Sequence, residues 1–438
     1  MISAIVAASA RDGAAAGEGI AVPGMPNAHS HAFQRAMVGD TEFRQGARDS
    51  FWTWRRAMYG LANRVTPADL TLIATQLFIE MLKAGYTSVA EFHYLHRRED
   101  GAAYGAGGDF RENPLHAAIV TAARRTGIGL TLLPTLYQHS DFGGKPLRED
   151  QRRFAMSLRE FIDAVRTASQ AMQSGATIRC GAAFHSLRAV STGVMREAIT
   201  ELNGIDSGMP LHIHVSEQML EVNACRGLTG KRPVELLLHE GLLSARWCLV
   251  HATHTNRDEL RGIAQAGASI CVCPSTEGNL GDGFFNAEHF LDLGGGLAIG
   301  SDSEICVCPA EELRWFEYQQ RLRRRRRAVL TSAAQQHVGT RLWADAAAGG
   351  ARALGQPVGE LKVGARADWL VLDPAHPCLA GSPLENYLDR LVFSNARPAI
   401  RDVIVGGRRV IRNGRHELES ASAAEFSGWM INSLRKTS

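Results

Sequence analysis

The feature that constrains the fold most is a repeated alternation of short β-rich runs with helical patterns. Counting a first run that ends at His29-Ser30-His31, the chain has eight such runs. The other seven lie near residues 86–92, 127–136, 177–184, 210–215, 247–251, 268–273 and 296–301, with helical patterns between them such as 67–83, 113–125 and 150–174. Eight units over roughly 280 residues predict an α/β fold, a (β/α)8 TIM barrel. A doubly wound sheet explains the pattern less well because such a sheet usually has about six strands.

Beyond residue 327 the pattern changes, which predicts a smaller second domain. The length of 438 residues favours the same division, since single cores stop growing at about 250–300 residues. Helices are predicted near 329–338 and 342–354, short strands near 369–372, 391–393, 399–405 and 408–411, and a closing helix over 421–436. Gly406-Gly407 indicates a hairpin turn between the last two strands. We expect a barrel over 23–355 and a small β-sandwich-like domain formed by both termini, residues 1–22 and 356–438.

The net charge and the spacing of the cysteines indicate the cellular compartment and the kind of partner to expect. The net charge of +3 is too small to indicate nucleic acid or a membrane surface, and no run approaches the roughly 18 apolar residues that a membrane span needs. The eight cysteines form no Cys-x-x-Cys pair, which fits a reducing cytoplasm. Residues 1–16 lack the basic start of a signal peptide and are interpreted as an N-terminal strand. We therefore expect a cytoplasmic protein whose partners are small molecules.

His29 and His31 are the first candidate metal ligands. On an extended strand, side chains two residues apart point to the same face, so both imidazoles can bind one ion. An isolated His-x-His is more often a pair of core side chains, but His214, His251 and Asp302 also end predicted strands. In a barrel, catalytic side chains lie where the carboxyl ends of the strands meet. The pattern therefore predicts one site built from several strand ends.

The residue types at these strand ends indicate hydrolysis with one divalent metal ion, for which zinc is the preferred candidate. Catalytic zinc takes nitrogen and oxygen ligands and keeps one position for water, whose pKa falls toward neutrality. The predicted ligands are His29, His31, His214 and Asp302. We expect Asp302 to accept the water proton, Glu217 to exchange a proton with a leaving nitrogen and His251 to hydrogen-bond the hydroxide or the substrate. The fourth strand end, residues 183–188, has no lysine that could be carbamylated to hold a second metal.

Three other patterns have simpler structural explanations. His212 is expected to lie one layer below His214, in the core or behind the ligands. Cys271-Val272-Cys273 and Cys306-Val307-Cys308 fit buried small side chains better than thiolate ligands. The arginine run 321–327 is interpreted as a helix end, where cations suit the helix dipole, rather than as a nucleic-acid patch.

Several motifs spread over nearly the whole chain carry a family resemblance. They are Pro23-Gly24-Met25-Pro26-Asn27 followed by His29, His31, Phe33 and Gln34; Ser50-Phe51-Trp52-Thr53-Trp54-Arg55; Glu91-Phe92-His93-Tyr94-Leu95-His96; His185-Ser186-Leu187-Arg188; His212-Ile213-His214-Val215-Ser216-Glu217-Gln218; Leu249-Val250-His251-Ala252-Thr253-His254; Asn279-Leu280-Gly281-Asp282-Gly283; Gly300-Ser301-Asp302-Ser303; and Val363-Gly364-Ala365-Arg366-Ala367-Asp368. With these motifs the chain resembles the amidohydrolase superfamily and, within it, the formimidoylglutamate deiminases.

The resemblance implies a barrel of the metal-dependent hydrolase type and a specific reaction. That reaction is the hydrolytic deimination of N-formimino-L-glutamate to N-formyl-L-glutamate and ammonia in histidine degradation, by a zinc-activated hydroxide. It further implies a homodimer and a set of substrate-binding residues, Gln34, Arg55, Tyr94, His185 and Arg188. Two guanidinium groups suit a substrate with two carboxylates, although each arginine could instead pair with a nearby surface acid.

Two other functions stay open from the sequence. One is a related deaminase of an aromatic base resembling guanine or cytosine, or of another amidine. The other is a non-catalytic barrel that binds ligands or partner subunits. The chain also departs from the family pattern at Glu304, where a histidine usually stands, and at Glu277-Gly278, which replaces Glu-Ala. We expect Glu304 to reshape the region beside Asp302 or to add negative charge near the metal.

Overall fold

The computed structural model of the chain describes residues 1–2, 19–43, 50–104, 113–172 and 177–435. The strand predicted over residues 1–16 lies outside the described residues, apart from its first two. The strands are β1 (Ile20–Pro23), β2 (Met25–Ser30), β3 (Tyr86–His93), β4 (Gly129–Leu136), β5 (Ile178–Cys180), β6 (Ala182–Ser186), β7 (Leu211–Val215), β8 (Trp247–His251), β9 (Ser269–Val272), β10 (Gly296–Ile299), β11 (Trp369–Leu372), β12 (Ile400–Val405), β13 (Arg408–Arg412) and β14 (Arg415–His416).

Among the described residues, the first ten α-helices lie in the connections between β2 and β10, and the last four follow β10. They are α1 (Phe51–Ala62), α2 (Pro67–Ala84), α3 (Pro114–Thr126), α4 (Leu158–Met172), α5 (Thr192–Ile205), α6 (Met219–Thr229), α7 (Pro233–His239), α8 (Arg257–Gln265), α9 (Pro274–Leu280), α10 (Ala287–Asp292), α11 (Pro309–Arg324), α12 (Val338–Leu354), α13 (Tyr387–Phe393) and α14 (Glu419–Arg435). Short 3-10 helices cover Ala32–Met37, Glu149–Phe154, Leu384–Asn386 and Arg397–Ala399.

Eight parallel strands form a nearly closed barrel in the order β2, β3, β4, β6, β7, β8, β9, β10, with the short β5 beside β4. Backbone bonds join the last strand to the first: the amides of Ser301 and Asp302 both donate to the carbonyl of His29 at 3.0 Å, and the amide of His31 donates to that of Asp302 at 3.1 Å. The predicted barrel is therefore confirmed. Its closure sets the candidate ligands of the first and last strands side by side.

Helix α2 shows how local sequence sets the element boundaries. Its N-cap Thr66 and Asp69 form a capping box, and Pro67 occupies the first turn, where its missing N–H costs nothing. The helix ends at Gly85, whose φ of 108° lies in a left-handed region that a side chain would disfavour. Strand β3 begins at the next residue, so this glycine turns the chain directly back into the barrel.

The two ends of the chain share a second, antiparallel sheet in the order β1, β11, β12, β13, β14. Strand β1 pairs along its whole length with β11, from Ile20 opposite Leu372 to Pro23 opposite Trp369. The predicted hairpin turn is confirmed at Gly406 and Gly407, which have φ values of 57° and 84°. The predicted β unit from both termini is thus confirmed, while its boundaries at residues 22/23 and 355/356 stay a prediction.

The structure corrects three local predictions. Residues 391–393 end helix α13 instead of forming a strand. Residues 329–337 are not helical, because the amides of Val329 and Leu330 donate to the buried Glu317 carboxylate of α11, at 2.9 and 3.0 Å, instead of to backbone carbonyls. The single helix predicted over 150–174 is divided into a 3-10 helix and α4.

Within the described ranges, no single helix combines the length and the apolar character needed to cross a membrane. Helices α1 and α2 meet that test only when taken together, and they are bent by 120° relative to each other.

Candidate active site

Three imidazoles and one carboxylate converge at the carboxyl ends of β2, β7 and β10. His29 Nε2 lies 3.1 Å from His31 Nε2 and 3.0 Å from His214 Nε2. Asp302 Oδ1 lies 3.3 Å from His29 Nε2 and 3.4 Å from His31 Nε2. Ligand atoms at zinc distances in a tetrahedron are about 3.3 Å apart. The four side chains that the sequence predicted as ligands therefore have the spacing of one metal site, and all four are buried.

The hydrogen bonds of these imidazoles fit metal binding through Nε2. The Nδ1–H groups of His31 and His214 donate to the carbonyls of Phe92 and His185, each at 2.9 Å, which leaves the Nε2 lone pairs directed at the common centre. Burial lowers the pKa of His31 to about 3, and it also lowers the pKa values of His29 and His214. Neutral imidazoles are the form that a metal ion requires.

Asp302 supplies the negative charge of the group. Burial alone would raise its pKa, but the hydrogen bond from His29 and the positive charge of His251 lower it below its ordinary value. An ionised carboxylate among neutral imidazoles is a donor set that suits a divalent cation. The described residues therefore fit one bound metal ion.

Several residues at or near the candidate site have a strained backbone conformation. Ser216, His251 and Asp302 have φ values of 54°, 68° and 50°, a left-handed conformation that non-glycine residues seldom adopt. Each of the three lies just after, or at the end of, a barrel strand. Such strain persists where the surroundings impose the conformation, and it concentrates at functional sites.

Asn27 is one of the residues that impose this geometry, and its role was not recognised in the sequence. Its Nδ2 donates to Ser301 Oγ at 2.7 Å, while its Oδ1 accepts from the amides of Ser301 at 3.1 Å and His29 at 3.3 Å. The buried amide thereby ties the strand end that carries His29 and His31 to the strand end that carries Asp302. Only its position within the Pro-Asn-x-His motif could have indicated this.

His251 and Glu217 face Asp302 across the site. His251 Nε2 lies 3.7 Å from both Glu217 Oε1 and Asp302 Oδ2, and its Nδ1 lies 3.3 Å from Glu277 Oε1. Burial lowers the pKa of His251, but the Glu217, Glu277 and Asp302 carboxylates outweigh this and raise the pKa to about 10. Burial also raises the pKa of Glu217 above its ordinary value. The pair therefore offers a cationic N–H donor beside a carboxyl group whose raised pKa favours proton exchange.

A single cavity joins the metal group to the predicted substrate-binding side chains. It is lined by His31, His214, Asp302, Glu217, His251, Gln34, Arg55, Tyr94, His185 and Arg188, together with Phe51, Trp54, Met58 and Leu280. Arg55 lies on helix α1. Gln34 Nε2 donates to Tyr94 OH at 2.9 Å, so these two polar side chains are already positioned relative to each other.

The two arginines of this cavity lack an acidic partner. Arg55 and Arg188 are 6% and 7% exposed, and neither makes a salt bridge within the described ranges. Arg55 instead donates to Tyr137 OH at 3.0 Å and lies over the ring of Tyr59, 5.2 Å from its centroid. The alternative that these arginines pair with surface acids is not what the described residues show. Their charges interact with the Glu217 carboxylate, but two buried cations that form no salt bridge among the described residues leave the cavity suited to an anionic ligand.

Tyr137 and Glu277 are further site residues that the sequence analysis missed. Tyr137 OH accepts hydrogen bonds from Arg55 and, at 2.8 Å, from Gln151 Nε2, and its ring lies 4.3 Å from that of His185. Tyr137 directly follows strand β4, so the rule that site residues follow barrel strands could have found it. Glu277 orients His251 from helix α9, a contact that no sequence spacing indicates.

Glu304 lies behind the first strand end rather than beside the Nε2 atoms. Its Oε1 accepts from the amide of His31 at 3.2 Å, and the neighbouring Glu91 accepts from the amide of Ala32 at 2.8 Å and from Ser30 Oγ at 2.6 Å. Burial raises the pKa of Glu91 to about 8 and raises that of Glu304 as well. Glu304 therefore acts on the backbone that carries His31.

The histidine that the sequence left ambiguous lies in the core. His212 Nε2 donates to the carbonyl of Ala353 at 2.8 Å, and His212 is not among the four candidate ligands. His93 is surrounded by His116 and His96, with ring centroids 5.1 and 6.0 Å away, and not by the candidate ligands. Cys271 and Cys273 are buried free thiols.

The fold and the site define a class: a hydrolase-type (β/α)8 barrel whose strand ends can hold one divalent metal ion. The chain belongs to the amidohydrolase family, whose model matches residues 20–410. It is 47% identical over 415 residues to a formimidoylglutamate deiminase from Pseudomonas aeruginosa, a match that covers 95% of this chain and 90% of the relative. The family resemblance seen in the motifs and the predicted enzyme class, a hydrolase acting on carbon–nitrogen bonds, are thereby confirmed.

Solved structures agree with this assignment. The crystal structure of an amidohydrolase from Brucella melitensis superposes with a TM-score of 0.88 at 40% identity, covering 94% of this chain and 90% of that one. An adenosine deaminase from Xanthomonas campestris with bound zinc superposes with a TM-score of 0.76 at 21% identity, covering 94% and 85%. At that identity the second likeness shows the fold.

Proposed function

We propose that this protein hydrolyses N-formimino-L-glutamate to N-formyl-L-glutamate and ammonia, a step of histidine degradation. The observation that carries the proposal is the pair of buried guanidinium groups, Arg55 and Arg188, that share a cavity with the metal group and form no salt bridge among the described residues. The 47% identity to a formimidoylglutamate deiminase supports the same substrate. A cytoplasmic location and the absence of nucleic-acid or membrane partners remain predictions from composition.

The substrate carries two carboxylates, one for each guanidinium. Guanidinium groups bind carboxylates through two parallel N–H···O bonds, which fix orientation as well as supplying binding energy. Gln34, Tyr94 and His185 provide neutral polar groups on the same cavity wall. In this arrangement the arginines hold the glutamate part, and the formimino group extends toward the metal group.

His29, His31, His214 and Asp302 would hold the metal ion, which we propose to be zinc because the donors are nitrogen and carboxylate oxygen. When bound, such an ion supplies hydroxide at neutral pH by lowering the pKa of a coordinated water. The site residues and the role of each are part of this proposal.

The side chains around the metal group handle the protons of the reaction. Water adds to the carbon of the C=N bond, and the bond from that carbon to the terminal nitrogen breaks, so ammonia leaves and the formyl amide remains. Asp302 accepts the proton of the attacking water, and Glu217 delivers a proton to the departing nitrogen. His251, held as an imidazolium by Glu277 and Glu217, donates a hydrogen bond to the oxygen on which negative charge develops.

A substrate panel tests the proposal against its rivals. Ammonia release should be measured with one zinc-loaded preparation on N-formimino-L-glutamate, N-formimino-glycine, guanine and cytosine. We expect turnover of the glutamate derivative and a much lower kcat/KM for the glycine derivative, which lacks the second carboxylate. Release from guanine or cytosine alone would favour the aromatic-base deaminase. No release from any of them, with a full metal complement, would favour a non-catalytic barrel.

A further inference from the structure

Helix α6 begins with a buried glutamate that the proposed reaction does not use. Glu221 lies in the first turn of this helix and is 3% exposed. Its Oε2 accepts a hydrogen bond from the amide of Glu217 at 3.2 Å. The backbone of the proposed proton donor is therefore held by the carboxylate of a residue four positions further along the chain.

Helix capping alone does not explain why this carboxylate is buried. Acidic side chains favour the first turn of a helix because of the helix dipole, and a carboxylate in contact with solvent provides that stabilisation. Glu221 Oε1 is instead buried without a hydrogen-bond partner among the described residues, and burial raises the pKa of Glu221 to about 7. A buried polar atom left without a partner is unfavourable, so its retention at this position points to a function.

The turn that leads from β7 into α6 has a strained backbone. Ser216 has a φ of 54°, a conformation that persists where the surroundings impose it. The carbonyl of Ser216 accepts a hydrogen bond from the amide of His254 at 3.0 Å, which fixes the residue before Glu217. Glu221 holds the next amide along the chain, that of Glu217 itself.

The Glu217 carboxylate depends on this backbone support. Its Oε1 lies 3.7 Å from His251 Nε2, which is beyond hydrogen-bond distance, and the carboxylate accepts no hydrogen bond within the described ranges. The backbone and the side-chain torsions therefore set its position. A displacement of about 1 Å in a reacting group can lower a rate by about a hundredfold, so a shift of this turn would impair proton transfer.

We propose that Glu221 is a positioning residue whose carboxylate oxygen holds the backbone of Glu217, so that the Glu217 carboxyl group reaches the departing nitrogen. The proposal rests on the proton-donating role proposed above for Glu217. It requires the acceptor oxygen of Glu221 and not its negative charge. The charge of Arg188 lowers the pKa of Glu221, so an electrostatic effect of Glu221 on substrate binding is the alternative that the experiment separates.

Two substitutions distinguish the acceptor oxygen from the charge. Glu221→Gln keeps an acceptor oxygen and removes the charge, whereas Glu221→Met removes both at a similar side-chain volume. With zinc-loaded protein, we expect Glu221→Met to lower kcat of ammonia release at least about tenfold while KM stays within about twofold. Glu221→Gln should keep kcat within about threefold of the wild type, because the hydrogen bond to the Glu217 amide is retained. A raised KM with unchanged kcat in both variants would overturn the proposal in favour of an effect through Arg188.

A double-mutant cycle shows whether Glu221 acts through Glu217. In the Glu217→Gln background, Glu221→Met should lower the residual kcat by less than about twofold, since the group that it positions no longer donates a proton. The same tenfold loss in that background as in the wild type would overturn the proposal. The matched control is Glu235→Met, which removes an acceptor from the first turn of α7 that bonds the amide of Arg232 at 3.1 Å, and which should leave kcat unchanged.

Metal content and folding are measured on the same preparations, by emission spectroscopy and circular dichroism. We expect every variant to be folded and to hold as much zinc as the wild type. A loss of zinc in Glu221→Met that parallels its loss of kcat would assign Glu221 a purely structural role and overturn the proposal.

The wild type separates a failure of the proposed substrate from a failure of this proposal. If the wild type releases ammonia only from another member of the substrate panel, the cycle is measured on that compound, and the ratios between variants still decide the role of Glu221. A metal-loaded wild type that releases no ammonia from any of them would overturn both.

Discussion

Replacing Arg188 by methionine should impair the reaction while making the substrate-free protein more stable. The guanidinium is 7% exposed and makes neither a hydrogen bond nor a salt bridge in the part of the chain that the structure describes. A buried cation without a salt bridge carries a desolvation cost that the nearby Glu217 and Glu221 carboxylates offset only in part until an anion binds. Methionine fills most of the same volume without that cost.

The expected changes in kcat/KM and in stability follow from the absence of a salt bridge to Arg188 among the described residues. A hydrogen bond to a charged group contributes about 1.5–3 kcal/mol, so losing a two-pronged contact to a substrate carboxylate should lower kcat/KM by about 10²–10⁴-fold. Removing this charge should stabilise the substrate-free protein by about 1–2 kcal/mol, which raises Tm by about 1–2 °C for a chain of this length. The two effects have opposite signs, and an arginine that merely supports the fold would not produce that combination.

The assay combines ammonia release with differential scanning fluorimetry on the same preparations. The control is Arg366→Met, which removes an equally buried arginine whose Nε donates to Asp368 Oδ1 at 2.9 Å. That variant leaves a buried carboxylate unpaired and should lose about 3–5 kcal/mol of stability. A lower Tm for Arg188→Met, or an unchanged kcat/KM, would refute the reasoning.

Three further predictions concern other residues of the site. Glu217→Gln should lower kcat by about 10²–10⁴-fold while metal content stays near that of the wild type, and an equal loss of both would count against its role as a proton donor. Tyr137→Phe should raise KM by about tenfold at unchanged metal content, because Arg55 loses its 3.0 Å hydrogen bond and its fixed position; a change in kcat alone would argue for a different role. Asn27→Ala should weaken zinc binding by about 10–100-fold in a competition titration with a chelating dye, and unchanged affinity would show that the strand ends keep their geometry without it.

The barrel could be predicted because its strands are short, largely apolar runs separated by helical patterns. The strand Trp247–His251 was predicted to the residue, and the helical pattern predicted over 67–83 corresponds to α2 (Pro67–Ala84). Sequence spacing predicted the secondary structure less well where tertiary contacts decide the conformation. Residues 391–393 have strand-forming side chains but end a helix that packs on α11, and residues 329–337 are kept out of a helix by the buried Glu317 carboxylate.

In the candidate site, too, some residues could be predicted from the sequence and others could not. The four candidate ligands could be placed together because strand ends of a barrel share one face, whichever loops follow. Asn27, Tyr137 and Glu277 act through hydrogen bonds to those ligands or to the substrate-binding side chains, and their partners lie far away in the sequence. The periodicity of the sequence gives no signal of such contacts.

The central claim is that one metal ion, held by three imidazoles and a carboxylate, makes hydrolysis possible beside a cavity for a dianionic substrate. Its most direct test is to strip the protein with a chelator and titrate zinc back while measuring ammonia release from N-formimino-L-glutamate. We expect ammonia release to rise in proportion to bound zinc and to level off at about one ion per chain. We also expect His214→Asn to bind less zinc. Full activity in protein shown by emission spectroscopy to be free of metal would contradict it.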